Sequence, residues 1–542
     1  MRPQKYIPYN DPFQFFITPY NEARPLYFYD LYDFKYIVPE CFLFISLLLL
    51  LFFGSLYFKN TKNESNVILT AKVLLVIFGL TFLLLLNNLY LNTTAIIFYE
   101  FLAIENFSTV IKLVVLLLTT LIVLSGKDYM QINRIYDYDY LVILGFVTIG
   151  LFMILSAHDF MSLFLAIELV GYGLYTLANL KRDSTYGAEA SLKYYVTGML
   201  ATGFYAYGAS LVYLQTKTLN FFVLQLYIYN QKIFFYETRY DIIMNKFDFT
   251  GDDYTLLVFG LTLILVLLLF KIAAAPFHVW SPDVYEGVPM IVTAYYSIVI
   301  KFVMLITFLK IVYFILPDFI EIFRPAFIFV SVISVLMGSI GAAFQDKLKR
   351  VFAYSSISHI GYVVMGLIPG TETGFIASLV YVFIYIIGNV ILFNFLLSTS
   401  KLIADEEESY VAEVSDLAKI GISSPLLGIF FSCSLFSFAG IPPFAGFFAK
   451  LGIFYSLLSQ GYGFVVLVAF VGTAISCFYY LKLIKASFFV PAHQPFFLVA
   501  YDRLKEAIIF WTVIPIISYV FIAERVMSLT HALFYQYLFL YS

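Results

Sequence analysis

The sequence predicts an all-α polytopic membrane protein of about fourteen transmembrane helices, with an inverted-topology five-helix repeat and two broken helices. Three observations predict it. Of the 542 residues, 62% are hydrophobic and 12% charged, with a mean hydropathy of +0.89, which excludes a water-soluble globular chain. Fourteen apolar runs are long enough to cross about 30 Å of hydrocarbon. Two of those runs, five apart in order, are interrupted by small residues and a Pro-Phe step beside a lysine: KIAAAPFHVW starting at Lys271, and AGIPPFAGFFAK ending at Lys450. An odd offset gives the two interrupted helices opposite orientations, as an inverted repeat requires.

The runs span roughly 37–58, 68–91, 108–125, 139–155, 158–180, 190–214, 254–275, 289–316, 325–344, 350–368, 373–399, 425–451, 462–489 and 506–527. Loops after odd-numbered runs carry Lys59, Lys62, Lys127, Arg134, Lys181, Arg182, Lys347, Lys349, Arg350, Lys401, Lys419, Lys485, Arg503 and Lys505. Loops after even-numbered runs carry only Lys217, Lys232, Arg239, Lys246 and Arg324. The positive-inside rule puts the odd loops in the matrix or cytoplasm and both termini on the other side. Residues 1–35 form a polar, aromatic extension that docks on a neighbouring subunit. Its acids Asp11, Glu22, Asp30 and Asp33 argue against a transit peptide.

A net charge of -3 gives no basic surface for nucleic acid. Cys41, Cys433 and Cys477 lie far apart within apolar runs, without the spacing of a zinc or iron–sulfur site. The acid run from Asp405 to Glu408 reads as a solvated loop.

Charges inside the apolar runs are the candidate functional residues, because an ionised side chain at mid-membrane costs roughly 3 kcal/mol or more unless it is paired or hydrated. Lys271 falls near the middle of a helix that continues to about Ser281. Five residues on, Pro276 lacks the N–H that the carbonyl of Ile272 needs, so the helix should kink one turn from the ammonium. Irregular backbone at that depth survives only around an enclosed or water-filled cavity. Glu168, central in FLAIELVGYGLY, has no charge within a helical turn, and Lys193 in the next run is its expected partner. A lysine moving toward or away from that carboxylate would change its hold on a proton. Lys301, in TAYYSIVIKFVML, cannot reach either face. Packed helices would bring it beside Lys271, where two ammonium groups destabilise each other's charge and a shared proton becomes transferable. Lys450, two turns past Pro443, is the isolated cation and the terminal station. His278 and His359 are secondary candidates. His359 either carries a proton with Ser355, Ser356 and Tyr362 through ordered water, or is a core histidine with both nitrogens satisfied. Lys72, Lys112, Lys310, Lys482 and Lys485 lie near helix ends, where snorkelling to the interface is the default.

The stretch PFHVWSPDVYEG closely resembles the signature of the N-type (mitochondrial subunit 2) antiporter-like membrane subunit of respiratory complex I. Further similar pieces follow in the family's order over residues 140–490: LFLAIELVGYGLYTLANLKRDS, EASLKYYVTG, QDKLKRVFAYSSISHIGYVVMG and FSFAGIPPFAGFFAKLGIFY. The resemblance implies fourteen helices with the seventh and twelfth broken. Residues 36–138 would hold the first three helices, 139–316 and 317–489 two antiporter-like halves, and 490–542 a C-terminal helix and tail. Glu168, Lys193, Lys271, Lys301 and Lys450 match the family's proton-pathway charges, and His278 and His359 its associated histidines. A lysine at Lys450 and the short C-terminus fit the N-type subunit rather than the M-type or L-type. GVPMIVTAYYSIVIK departs from the family in lacking a second proline before Lys301.

The implied function is proton translocation in the membrane arm, coupled to NADH:ubiquinone electron transfer. The implied location is the mitochondrial inner membrane, with a bacterial plasma membrane as the alternative. Neighbouring antiporter-like and other membrane-arm subunits are the implied partners, with lipid around them. NADH, FMN, iron–sulfur clusters and ubiquinone are expected elsewhere in the complex, and no cofactor or metal on this chain. A stand-alone cation/proton antiporter and a structural scaffold subunit are the alternatives.

Overall fold

The structure is a computed structural model that describes residues 34–57, 64–90, 95–132, 138–181, 184–228, 252–402, 408–410, 412–418, 424–490, 496–498 and 503–541. The extension before residue 34, the stretch 229–251 and the acids 405–407 lie outside the described residues.

The early helices are α1 (Val38–Tyr57), α2 (Glu64–Tyr90), α3 (Asn106–Ile132), α4 (Asp139–Ser156), α5 (Phe160–Ala178) and α6 (Thr185–Thr216). A hairpin of β1 (Ala95–Ile97) and β2 (Leu102–Ile104) joins α2 to α3. The first interrupted run becomes α7 (Asp252–Ile272) and α8 (Trp280–Gly287). After it comes α9, Met290–Ile315, almost wholly buried and hydrophobic all round, as a central helix must be. The second half comprises α10 (Ile320–Ala343), α11 (Leu348–Met365), α12 (Glu372–Ser398), the interrupted pair α13 (Pro425–Ala439) and α14 (Ala445–Ser459), and α15 (Gly463–Phe489). Last is α16 (Arg503–Tyr541), longer than its apolar run. A small antiparallel sheet pairs β3 (Thr399–Leu402) with β4 (Glu408–Tyr410) and β5 (Phe496–Leu498), so Glu408 is in a strand rather than a solvated loop.

Among the described residues eleven helices are long and apolar enough to cross a membrane alone. The other three apolar runs are helical too: α6 and α11, diluted by polar residues, and the α13–α14 pair, divided by its break. Three helix starts carry side-chain caps. Asp159 accepts the N–H of Met161 at 2.6 Å, Ser184 that of Gly187, and Thr371 that of Gly374.

Packing repeats at the five-helix offset: α4 lies on α5 as α10 lies on α11, and α6 on α7 as α12 on α13 and α14. The α6–α7 crossing is close enough that a Cβ on Gly208 would meet the Gly260 carbonyl oxygen at 2.6 Å, so glycine is needed there. Helix α16 packs on α12, α13 and α3, and so ties the second half to the first three helices.

Candidate proton path

The first break comes sooner than the sequence indicates. Helix α7 ends at Ile272, one residue after Lys271, where Ala273 adopts φ +63, and no helix continues to Ser281. Alanine favours helix, so the break is set by Pro276, which offers no N–H to the Ile272 carbonyl and crowds it. The exposed backbone is satisfied by neighbours. Ser334 Oγ on α10 accepts the Ala275 N–H at 2.9 Å while donating to the Val330 carbonyl, and Trp280 Nε1 donates to the Phe270 carbonyl at 3.0 Å. Irregular backbone is thereby paid for at membrane depth by protein groups.

Lys271 is buried, with its ammonium 5.8 Å from the ring centres of both Tyr175 and Tyr194. The charge whose field reaches it is Glu168, whose Oε2 is buried without a hydrogen-bond partner. Lys193 is not that partner. It lies on the exposed face of α6, 2.8 Å from Glu189 one turn back and 2.9 Å from Asp283 at the start of α8. Asp283 also accepts from Arg350 at 2.7 Å, and Glu286 forms ion pairs with Arg350 and Lys347. Lys193 therefore belongs to a surface ion network that clamps α8 to α6 and α11.

Lys271 and Lys301 are not a lysine pair either, for each faces aromatic rings. Tyr194 stacks on Trp280 and lies 5.9 Å from Tyr296, which is 6.5 Å from Tyr285, and the Lys301 ammonium sits 5.0 Å over the Tyr285 ring. Tyr296 donates its hydroxyl to the Leu174 carbonyl. Helix α9 reaches Lys301 through a π-helical stretch, Tyr296–Ile300, which turns the lysine without the second proline of the family pattern.

Lys301 donates to Ser356 Oγ on α11, and Ser356 donates to the Ala353 carbonyl. One turn on, His359 has a phenol on each ring nitrogen: Tyr381 at 2.7 Å on Nδ1 and Tyr480 at 3.0 Å on Nε2. Both nitrogens are satisfied, but by hydroxyls that can either donate or accept, so the histidine supports proton passage in either sense. Both Lys301 and Lys450 act electrostatically on it.

Lys450 ends the series. Pro442 and Pro443 cannot donate to the carbonyls of Phe438 and Ala439, and the Lys450 ammonium takes both, at 2.8 and 3.2 Å, lying 5.1 Å over the Tyr362 ring. Gly440, at φ +81, leaves room for this, since a Cβ there would stand 3.0 Å from Lys450 Cδ. His278 lies in the first break with Nδ1 buried and stands apart from this series of contacts.

Sequence reasoning missed Tyr175, Tyr194, Tyr285, Tyr296, Tyr381 and Tyr480, because in a chain with 45 tyrosines none stands out. It also assigned Lys112 and Lys310 to the interface. Both are buried and each has an acid beside it, Glu40 at 2.5 Å and Glu105 at 3.9 Å respectively. Lys72, Lys482 and Lys485 are exposed, as expected for snorkelling residues.

Two broken helices in repeated five-helix units, with buried lysines and a glutamate at their centre, define the class of multi-pass antiporter-like membrane subunits. Residues 157–476 match the family described as NADH:quinone oxidoreductase/Mrp antiporter, TM. The chain is 33% identical to NADH-quinone oxidoreductase subunit N of Pelagibacter ubique over 90% of its length and 96% of that protein's. It is 32% identical to NADH-ubiquinone oxidoreductase chain 2 of Marchantia polymorpha, covering 92% and 98%. The chain belongs to this family, in its subunit N and chain 2 branch. In fold it matches a chain of respiratory complex I from Thermus thermophilus (TM-score 0.71, 24% identity, 90% of this chain and 98% of that one). It also matches a chain of the Mrp complex from a Dietzia species (TM-score 0.74, 18% identity, 92% and 96%).

Proposed function

We propose that this chain is a proton-translocating subunit in the membrane arm of respiratory complex I, and that Glu168, Lys271, Lys301, His359 and Lys450 are its proton stations. Quinone reduction elsewhere in the complex drives the transfers, and NADH, flavin, iron–sulfur clusters and quinone are held by other subunits. The mitochondrial inner membrane is the proposed location, with a neighbouring antiporter-like subunit as the adjacent partner. The relatives named chain 2 support that location, and the bacterial relatives support a plasma membrane equally.

The observation that carries the reading is the series of buried groups across the two halves: tyrosine rings between Lys271 and Lys301, a hydrogen bond from Lys301 to Ser356, His359 one turn further on between two phenols, and Lys450 over the Tyr362 ring. Each of the three lysines is held by neutral groups, so each can give up its proton without abandoning a bonded carboxylate. Glu168 biases the first of them: when the carboxylate is charged it favours the Lys271 ammonium, and when it is protonated that support is withdrawn. Lys193, salt-bridged to Glu189 and Asp283 on the surface, and His278 have subordinate roles.

Glu168→Gln keeps the shape of the side chain and removes the charge. Expected is an assembled complex with impaired NADH-driven quinone reduction and proton uptake in vesicles. Normal pumping by equal amounts of assembled variant would leave the scaffold reading as the better one.

A further inference from the structure

A second group of buried charges lies away from this path, at one end of the bundle. Glu40 is in the first turn of α1, Glu105 immediately precedes α3, Lys112 is on α3, Lys310 is on α9, and His158 follows α4. All five are at least nine-tenths buried. Lys112 meets Glu40 at 2.5 Å and Lys310 meets Glu105 at 3.9 Å; Lys112 acts electrostatically on Lys310, and Lys310 on His158. The two ion pairs and the histidine are one coupled group.

Over this group lies the β1–β2 hairpin. Leu102 bridges to Ala157, and the His158 N–H donates to the Phe101 carbonyl, so the hairpin is pinned to the α4–α5 turn. Phe221 donates its N–H to the His158 carbonyl, and Asn220 donates to the exposed Glu100 at 3.0 Å. Asp159, half buried, caps α5 next to the histidine. The exposed Glu100 and its partner Asn220 thus stand at the hairpin, held by backbone bonds to the turn that carries His158.

The group is also in register with the central path. Lys310 is nine residues beyond Lys301 on the same helix, about 13 Å along its axis. Helix α9 is π-helical just before Lys301 and again just after Lys310, over Ile311–Ile315. Interruptions of that kind concentrate at functional positions. Stability does not demand such a cluster, because apolar side chains of similar volume often replace buried ion pairs without loss.

We propose that Glu105 and Lys310, with His158 and the coupled Glu40–Lys112 pair, form a proton-exchange site through which the first half communicates with the hairpin face of the membrane. The proposal rests on the proton-translocation reading above. A proton that reaches the Glu105 carboxylate beside Lys310 neutralises it, and its departure past His158 toward Asn220 and Glu100 restores the ion pair. The loop-charge asymmetry puts this face opposite the matrix.

Lys310→Arg keeps a cation beside Glu105 but not one that can release a proton. The double variant Glu105→Gln/Lys310→Met removes both charges together and leaves neither unpaired. Each is compared in vesicles with Lys301→Met, at equal amounts of assembled complex, for NADH oxidation and proton uptake. The expected result is that at least one of the two assembles and loses most of both activities. Full activity in either assembled variant, with Lys301→Met inactive, would overturn the exchange site and leave the central path standing. Failure of both to assemble would assign the charges to structure and overturn it equally. An active Lys301→Met would instead refute the underlying reading.

Discussion

Replacing Lys450 tests the path at its end, where the geometry makes opposite demands on stability and on function. In Lys450→Met the carbonyls of Phe438 and Ala439 lose the donor that now stands at 2.8 and 3.2 Å. Each buried acceptor left without a partner costs about 1–3 kcal/mol. Against this, the variant no longer buries an ammonium, a desolvation cost of roughly several kcal/mol. The opposing terms are similar in size, so the complex should assemble. Lys450→Arg keeps the positive charge and its donors but holds its proton with a pKa above about 12. Burial acts on either cation alike, so taking the proton from arginine costs about 3–4 kcal/mol more than taking it from lysine. That slows the step by about a hundred- to a thousandfold. Both variants should therefore assemble yet fail in NADH-driven proton uptake and in the quinone reduction coupled to it. Full activity in both, at matched amounts of assembled complex, would remove Lys450 from the path.

Other expectations follow from particular contacts. Gly440→Ala forces a Cβ onto backbone at φ +81, 3.0 Å from Lys450 Cδ, and should cost about 1–2 kcal/mol, seen as a lower midpoint for thermal disassembly of the extracted complex; an unchanged midpoint would refute it. Tyr285→Phe keeps the ring beneath Lys301 and deletes the hydroxyl, so slowed turnover in a normally assembled complex would place that hydroxyl in the path, and unchanged turnover would exclude it. Asp283→Asn breaks a partly exposed network and should change stability by less than about 1 kcal/mol, measured by the same disassembly midpoint. The loop holding Lys347 should react with an impermeant amine-reactive label only from the matrix or cytoplasmic side; modification from the opposite side would reverse the topology.

Much of this fold was legible because apolar length is a direct physical demand of a bilayer. All fourteen runs appear as helical segments, and both breaks fall where proline meets small residues. The freed carbonyls of Phe438 and Ala439 follow from Pro442 and Pro443 alone, and the lysine two turns on occupies them. Pairing was not legible. Lys193 finds Asp283, ninety residues away, and sequence distance gave no sign of it. Lys112 and Lys310 lie close enough to helix ends for the snorkelling rule to apply, but that rule assumes water beyond the end. Here the β1–β2 hairpin covers that end and two acids at helix starts meet the lysines. The tyrosines of the path were invisible because their role depends on which ring lies beneath which ammonium.

The buried lysines thus divide by what holds them. Those on the axis rest against neutral groups: two phenol rings at Lys271, a ring and a serine at Lys301, a ring and two carbonyls at Lys450. A ring face contributes about 0.5–2 kcal/mol to a nearby cation, enough to keep an ammonium in place without fixing its proton. Lys112 instead has a carboxylate in contact, and Lys310 has one at 3.9 Å. A proton moving through the chain therefore meets weak bases in neutral surroundings along the axis and carboxylates at the hairpin end. That order suits release, since a neighbouring lysine weakens a carboxylate's hold on a proton, which is then readily passed on. The step between the two halves is the narrowest, for Lys301 belongs to the first and Ser356 to the second, and one hydrogen bond joins them. Any movement of α9 against α11 that lengthens that bond disconnects Lys271 from Lys450 while leaving each in its own ring pocket, so α9, with π-helical turns flanking both of its lysines, is where coupling motion has the greatest leverage.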